Sequence, residues 1–193
     1  MKHPVPAWIP LCGLLCVTLP PPSPAKAPAA VKAVSLSKEE LAALQPAVEA
    51  QCGESEIDAK QSFRLQQKGA PLDGAMLVGC VDDKVRFGLY REGKQLQLLP
   101  EHRANTWDVY QIEAVSFSDI DGDGRFDILA IVSSMAGAGP TAAIPFNVAG
   151  VWFQTADGGF EADPKAETVL ENVRKPDVKK SVAALKKARV RQS

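Results

Sequence analysis

The sequence predicts an α+β domain: an antiparallel sheet of about six to eight strands, with one helix before it and helices after it. Three observations carry that expectation. A helix-capping signature, Ser37-Lys38-Glu39-Glu40, opens the ordered part; period-two alternation of apolar residues runs through much of 63–160; and helical spacing returns after 166. No long segment recurs, so a repeat architecture is not indicated.

Residues 26–34, rich in Ala, Pro and Lys, read as a flexible leader, and a single domain fills 35–193. The Ser37 hydroxyl can cap the free amides of a helix start while Glu40 reaches back, and Leu36, Leu41 and Leu44 share one helical face. Pro46 cannot donate a helical hydrogen bond. The helix is therefore expected to end at Gln45 or to restart with Pro46 in its first turn, closing near Cys52-Gly53.

Phe63-Arg64-Leu65 then opens a strand, Leu72-Asp73-Gly74 turns the chain, and 75–81 is a largely apolar strand. Asp82-Asp83 turns into 84–90, which sets Val85, Phe87 and Leu89 on one side; Glu92-Gly93 turns again before the alternating Gln95-Leu96-Gln97-Leu98. A longer strand spans 109–117, an acidic segment follows, and the next strand, 126–132, carries a run, 128–132, that is apolar on both faces, as the centre of a sheet requires. The glycines and prolines of 133–145 predict a long loop. Residues 148–153 form another strand, Asp157-Gly158-Gly159 a tight turn and Phe160 a short return. Helices over 166–173 and 177–189, separated by Pro176, finish the chain.

Composition bounds the function. The 193 residues suffice for one domain with its own core, and 46% hydrophobic with 23% charged residues is globular usage. A net charge of −1 leaves no electrostatic footprint for nucleic acid, so none is expected as a partner. Residues 1–25 read as an export signal: Lys2 supplies the positive start, and 8–19 is apolar but shorter than the roughly 20 residues that span hydrocarbon. Ser23-Pro24-Ala25 offers small residues for cleavage before Lys26, an uncleaved anchor being the alternative. Pro10-Leu11 before Cys12 and Leu14-Leu15 before Cys16 fit a lipidation site poorly. Periplasmic or secreted location follows. Cys52 and Cys80 then remain, an even pair that forms one disulfide in an oxidising compartment, two buried thiols being the alternative.

The acidic segment carries the sharpest chemistry. Asp119, Asp121, Asp123 and Asp127 alternate around Gly122 and Gly124. Calcium takes about six to eight oxygens at about 2.3–2.6 Å, and carboxylates at alternate positions of a tight loop point inward together. Gly124 permits the sharp reversal, Arg125 offers its backbone carbonyl, and Asp127 closes the cage. Four carboxylates so close repel one another without a cation. An EF-hand would need a bidentate Glu at the twelfth loop position, where Ala130 stands in an apolar run, and helices on both sides, where strands are expected.

The run Phe117-Ser118-Asp119-Ile120-Asp121-Gly122-Asp123-Gly124-Arg125-Phe126-Asp127-Ile128-Leu129-Ala130 resembles the calcium loops of FG-GAP and VCBS repeats, known from integrin α-subunit propellers. The resemblance implies Ca2+ held by the side chains of Asp119, Asp121, Asp123 and Asp127 and by the Arg125 carbonyl. It covers one loop. A propeller needs about four to eight blades, so neither a full propeller nor its adhesive surface is implied.

Other signals are weaker. His102, between Glu101 and Arg103, reads as a surface-loop histidine rather than a general base, and Ser133-Ser134 lacks a Gly-x-Ser-x-Gly elbow. No dinucleotide fingerprint, phosphate loop or HExxH zinc motif occurs. The last helix is basic, with Val178, Val182, Leu185 and Val190 on one face. That pattern reads as an apolar stripe on the core under a solvated basic face, with docking to anionic lipid, envelope polymer or an acidic partner as the functional alternative. The expectation is an exported, non-enzymatic calcium-binding domain, the ion stabilising a β-hairpin loop, that meets an unknown protein or envelope polymer. The rival is a secreted hydrolase with structural calcium and catalysis in the 133–145 loop near His102.

Overall fold

Ser37 begins the first helix as its chemistry requires. Its backbone N–H donates to Glu40 Oε2 at 2.6 Å and its hydroxyl accepts from Glu40 N at 3.2 Å, the reciprocal bonds of a capping box. The computed structural model describes residues 31–67, 72–91, 94, 96–137, 139, 144–188 and 190. The export segment 1–25 and residues 26–30 of the leader lie outside the described residues.

In chain order the elements are β1 (Lys32–Ser35), α1 (Lys38–Cys52), β2 (Glu56–Ile57), β3 (Phe63–Gln66), β4 (Met76–Val81), β5 (Val85–Tyr90) and β6 (Gln97–Leu98). After a 3-10 turn at Arg103–Thr106 come β7 (Asp108–Ser118), β8 (Asp127–Met135), β9 (Phe146–Gln154), β10 (Phe160–Glu161), α2 (Pro164–Glu171) and α3 (Val178–Ala188). All strand pairs are antiparallel, and the α+β class with helices at both ends is as the sequence predicts.

The strands make two sheets rather than one. The first runs β1-β3-β4-β5-β6, with β2 also pairing β4; the second runs β10-β9-β8-β7. Alternation then builds four layers. Leu77, Val85, Phe87 and Leu89 of the first sheet meet Ile112, Ile128, Ala130, Val132 and Trp152 of the second in a shared core. Met76, Val78 and Cys80 face the other way, onto Leu44, Val48 and Cys52 of α1. Leu129, Ile131, Val151 and Phe153 turn outward onto Ala166 and Leu170 of α2 and Leu185 of α3. The sheets approach closely at Gly79, where a Cβ would lie 2.8 Å from the Ile112 Cδ1 methyl and would push that side chain aside.

Four expectations need correction. The flexible leader does not extend to 34: Lys32–Ser35 is strand β1, paired with β3 from Lys32↔Gln66 to Ser35↔Phe63. Pro46 neither ends nor restarts α1, which runs through it, because the stripe Leu44, Val48 and Cys52 buried on β4 outweighs one missing backbone bond. Ser133 and Ser134 belong to β8, not to a loop, since pairing with β9 continues to Ser134↔Phe146. His102 is not a surface residue; it is 2% exposed, with Nδ1 accepting from Ala104 N at 3.0 Å and its ring packed near Phe87 and Trp152.

Candidate metal centre

The acidic segment is the turn between β7 and β8, pinned on both sides by apolar anchors. Ile120 drops into the core under α2 and α3, and Phe126 enters the inter-sheet core beside Phe117 and Phe160. Sequence reading passed over both. Their signal was available: two large apolar residues inside a run of acids and glycines have few reasons to be there except to fasten the loop.

Between the anchors, carboxylates close a set of small rings with backbone amides. Asp119 accepts from Gly122 N at 2.6 Å and from Gly124 N at 3.1 Å, and Asp121 accepts from Asp123 N at 3.1 Å. Gly122 and Gly124 have φ of 84° and 88°, a region that a side chain resists, so the glycine spacing is a backbone requirement.

Asp127, the first residue of β8, is fully buried. Its Oδ2 accepts from Ile120 N at 2.8 Å and its Oδ1 from Gln154 N at 3.1 Å, so one carboxylate ties the loop to the end of β9. Burial pushes the Asp127 carboxyl up to about 7, against the lowering effect of these two donors and with the charges of Asp121 and Asp123 adding to the rise. A carboxylate in that position is short of positive charge.

Asp119, Asp121 and Asp127 each place one carboxylate oxygen within 4.8 Å of the others, a spacing that can hold a metal ion. Asp123, the fourth expected side-chain ligand, is not in this group. Its Oδ1 accepts from Arg125 N at 2.8 Å and its Oδ2 forms an ion pair with the Arg125 guanidinium, whose Nε donates to Gln154 O at 2.9 Å. Arg125, expected to offer a backbone carbonyl, thus acts through its side chain as the counter-ion of Asp123. The donor set suits a hard cation: the three gathered side chains are carboxylates, and neither His nor Cys joins them.

The other singled-out residues lie elsewhere. Cys52, at the end of α1, and Cys80, in β4, are buried as thiols with their sulfurs 2.8 Å apart. Ser133 and Ser134 are 2% and 0% exposed inside β8, and the Ser134 hydroxyl has no hydrogen-bond partner among the described residues. Burial holds the His102 imidazole down to about 4, so it is neutral near pH 7. Comparison with family models, with curated proteins and with solved structures yields no match to this chain.

Proposed function

We propose that the β7–β8 turn binds Ca2+ and that the chain is an exported, non-enzymatic domain whose hairpin the ion stabilises. The convergence of the Asp119, Asp121 and Asp127 carboxylates carries this reading. Calcium fits better than zinc or copper because the donors are oxygens, and better than magnesium because the ligands lie on a glycine-rich turn rather than in a rigid octahedral frame. Likeness to FG-GAP and VCBS loops supports the same ion and adds two ligands, the Asp123 side chain, once it leaves Arg125, and the Arg125 carbonyl. An ion here would act on the core, because Asp127 joins the turn to β9 and Ile120 and Phe126 root it in two hydrophobic clusters. Export rests on the Lys2-led apolar segment and its small-residue site, and in that compartment a binding role would be towards an envelope macromolecule. The non-enzymatic reading is supported by the burial of Ser133, Ser134 and His102, the residues on which a hydrolase would draw.

Calorimetric titration of chelator-treated protein tests the proposal. At ten times the dissociation constant one ion adds about 1.4 kcal/mol. For a domain of this size that raises the melting temperature by roughly 3–6 °C, with magnesium acting more weakly. Absence of calcium binding at millimolar concentration would remove the basis for it.

A further inference from the structure

We propose that the outer face of α3, with the turn before it, is a docking surface for an anionic phospholipid bilayer. Charge is unevenly placed along this nearly neutral chain. Residues 164–193 carry nine Lys and Arg against three Asp and Glu, a net charge of +6, which leaves −7 on residues 1–163 of a chain whose total is −1. The fold then concentrates the basic end on one surface. Ser181 and Leu185 of α3 are buried against the second sheet and α2, whereas Lys179, Lys180, Lys186 and Lys187 are all exposed. At 3.6 residues per turn these four lysines share an arc of about 120°, with the small Ala183 between them.

The preceding turn adds to the surface by an unusual backbone. Arg174 and Lys175 are exposed, and Lys175 is the one non-glycine residue with positive φ, 48°, among the described residues. Glycine would fit that conformation without strain, yet a lysine stands there, its carbonyl accepting from Lys180 Nζ at 3.0 Å. Of these six basic side chains only Lys180 is in a salt bridge among the described residues, with Asp177 at 3.0 Å. The other five are exposed and, among the described residues, have no acidic partner.

The chemistry of the face selects its occupant. A folded protein partner would call for a buried aromatic or aliphatic anchor at the centre of the contact, and the exposed arc of α3 offers lysine and alanine. Sequence-specific groove reading draws on planar, bidentate donors such as Arg, Asn and Gln beside Lys, and the arc displays none of the planar ones. Lysines are flexible point charges that suit a dense, mobile anionic surface, where lipids move to meet them. The apolar side of α3 is already spent on the core, and no described helix is long and apolar enough to cross a membrane, so contact is adsorption without insertion.

Co-sedimentation of the full chain with vesicles tests this, using 30% phosphatidylglycerol in phosphatidylcholine against pure phosphatidylcholine. Chelator present throughout separates the result from the fate of the calcium site. Binding to the anionic vesicles only, lost in 0.5 M salt, is expected. The Lys179→Gln/Lys186→Gln variant should bind about 25-fold more weakly at an unchanged melting temperature, since each lysine near such a surface contributes about fivefold. Lys32→Gln/Lys38→Gln, on β1 and at the start of α1, away from α3, should bind within twofold of wild type. Equal binding to neutral vesicles, binding that survives salt or the α3 substitutions, an equal loss in the control variant, or retention by a sulfated polysaccharide or duplex DNA but not by anionic vesicles would each overturn the proposal.

Discussion

His102 and Gly150 make the packing between the 3-10 turn and β9 measurable. A Cβ at position 150 would lie 2.4 Å from both Cδ2 and Nε2 of His102 and 3.3 Å from Cε1. Ordinary contacts of this kind sit near 3.5 Å, so Gly150→Ala asks the imidazole to withdraw by about 1 Å. The ring has little room to do so. Its Nδ1 is held by Ala104 N at 3.0 Å, and it lies near Phe87 and Trp152, with centroids 6.3 and 5.6 Å away. Trp152 is itself anchored through Nε1 to the Pro100 carbonyl at 2.8 Å. Overpacking of this kind costs about 1–3 kcal/mol. Gly150 is not among the positive-φ glycines, so alanine can take its backbone and recovers about 0.4–1 kcal/mol by restricting the unfolded chain. A net destabilisation of roughly 0–2.6 kcal/mol is expected in urea unfolding at pH 7. In a His102→Ala background the ring is gone, and Gly150→Ala should be neutral or mildly stabilising. A coupling energy of at least about 1 kcal/mol between the two sites follows. If Gly150→Ala costs the same in both backgrounds, the close approach of ring and strand is not what position 150 accommodates.

Three further outcomes are expected. His102 is held at about 4 by burial against an ordinary value of 6.5, so the unfolded chain takes up its proton first as pH falls; the stability is present above 6.5 and lost between there and about 4, up to about 3 kcal/mol. Asp127, raised to about 7, works in the opposite sense between 3.8 and 7, so the readout is the difference between wild type and His102→Gln in chelator; parallel pH profiles would refute a titrating His102. Asp121→Asn should remove the calcium-dependent rise in melting temperature while Glu113→Gln, exposed on β7, keeps it; a full calcium response in the Asn variant would exclude Asp121 as a ligand. Oxidation should join Cys52 to Cys80, whose 28-residue separation is worth roughly 3–4 kcal/mol in chain entropy, and labelling of the unfolded, unreduced chain that starts at Lys26 should then find no thiol; two labelled cysteines would exclude the bridge.

Where a single physical demand governs a segment, the sequence made it legible. Ile128 to Val132 had to be apolar on both faces because inter-sheet core lies on one side and helices on the other, and β8 is indeed flanked by β7 and β9. Val85, Phe87 and Leu89 share a face because the strand pleat allows nothing else. The second sheet was hidden for a related reason. Alternation tells which side of β4 and β5 is buried but not what buries it, and Met76, Val78 and Cys80 are as apolar towards α1 as Leu77 is towards the other sheet. His102 misled because charged residues, Glu101 and Arg103, flank it in the sequence; Gly150, forty-eight residues on, is the position that accommodates its ring, and one sequence does not reveal that pairing.

The turn shows the same limit at the level of single atoms. Alternating acids gave the ring of donors, and three of them gather as that spacing requires. The fourth does not, because Arg125 stands two residues beyond Asp123 and its guanidinium reaches both that carboxylate and the Gln154 carbonyl. Spacing alone says that Asp123 can point at an ion; it does not weigh the ion against a cation the chain already carries. Coulomb attraction at similar distance favours a divalent charge over the guanidinium, whose Nε bond to the Gln154 carbonyl can stay in place while Asp123 turns away. If the turn takes the proposed ion, Arg125 competes with it for the Asp123 carboxylate, a competition that ligand patterns in a sequence do not record.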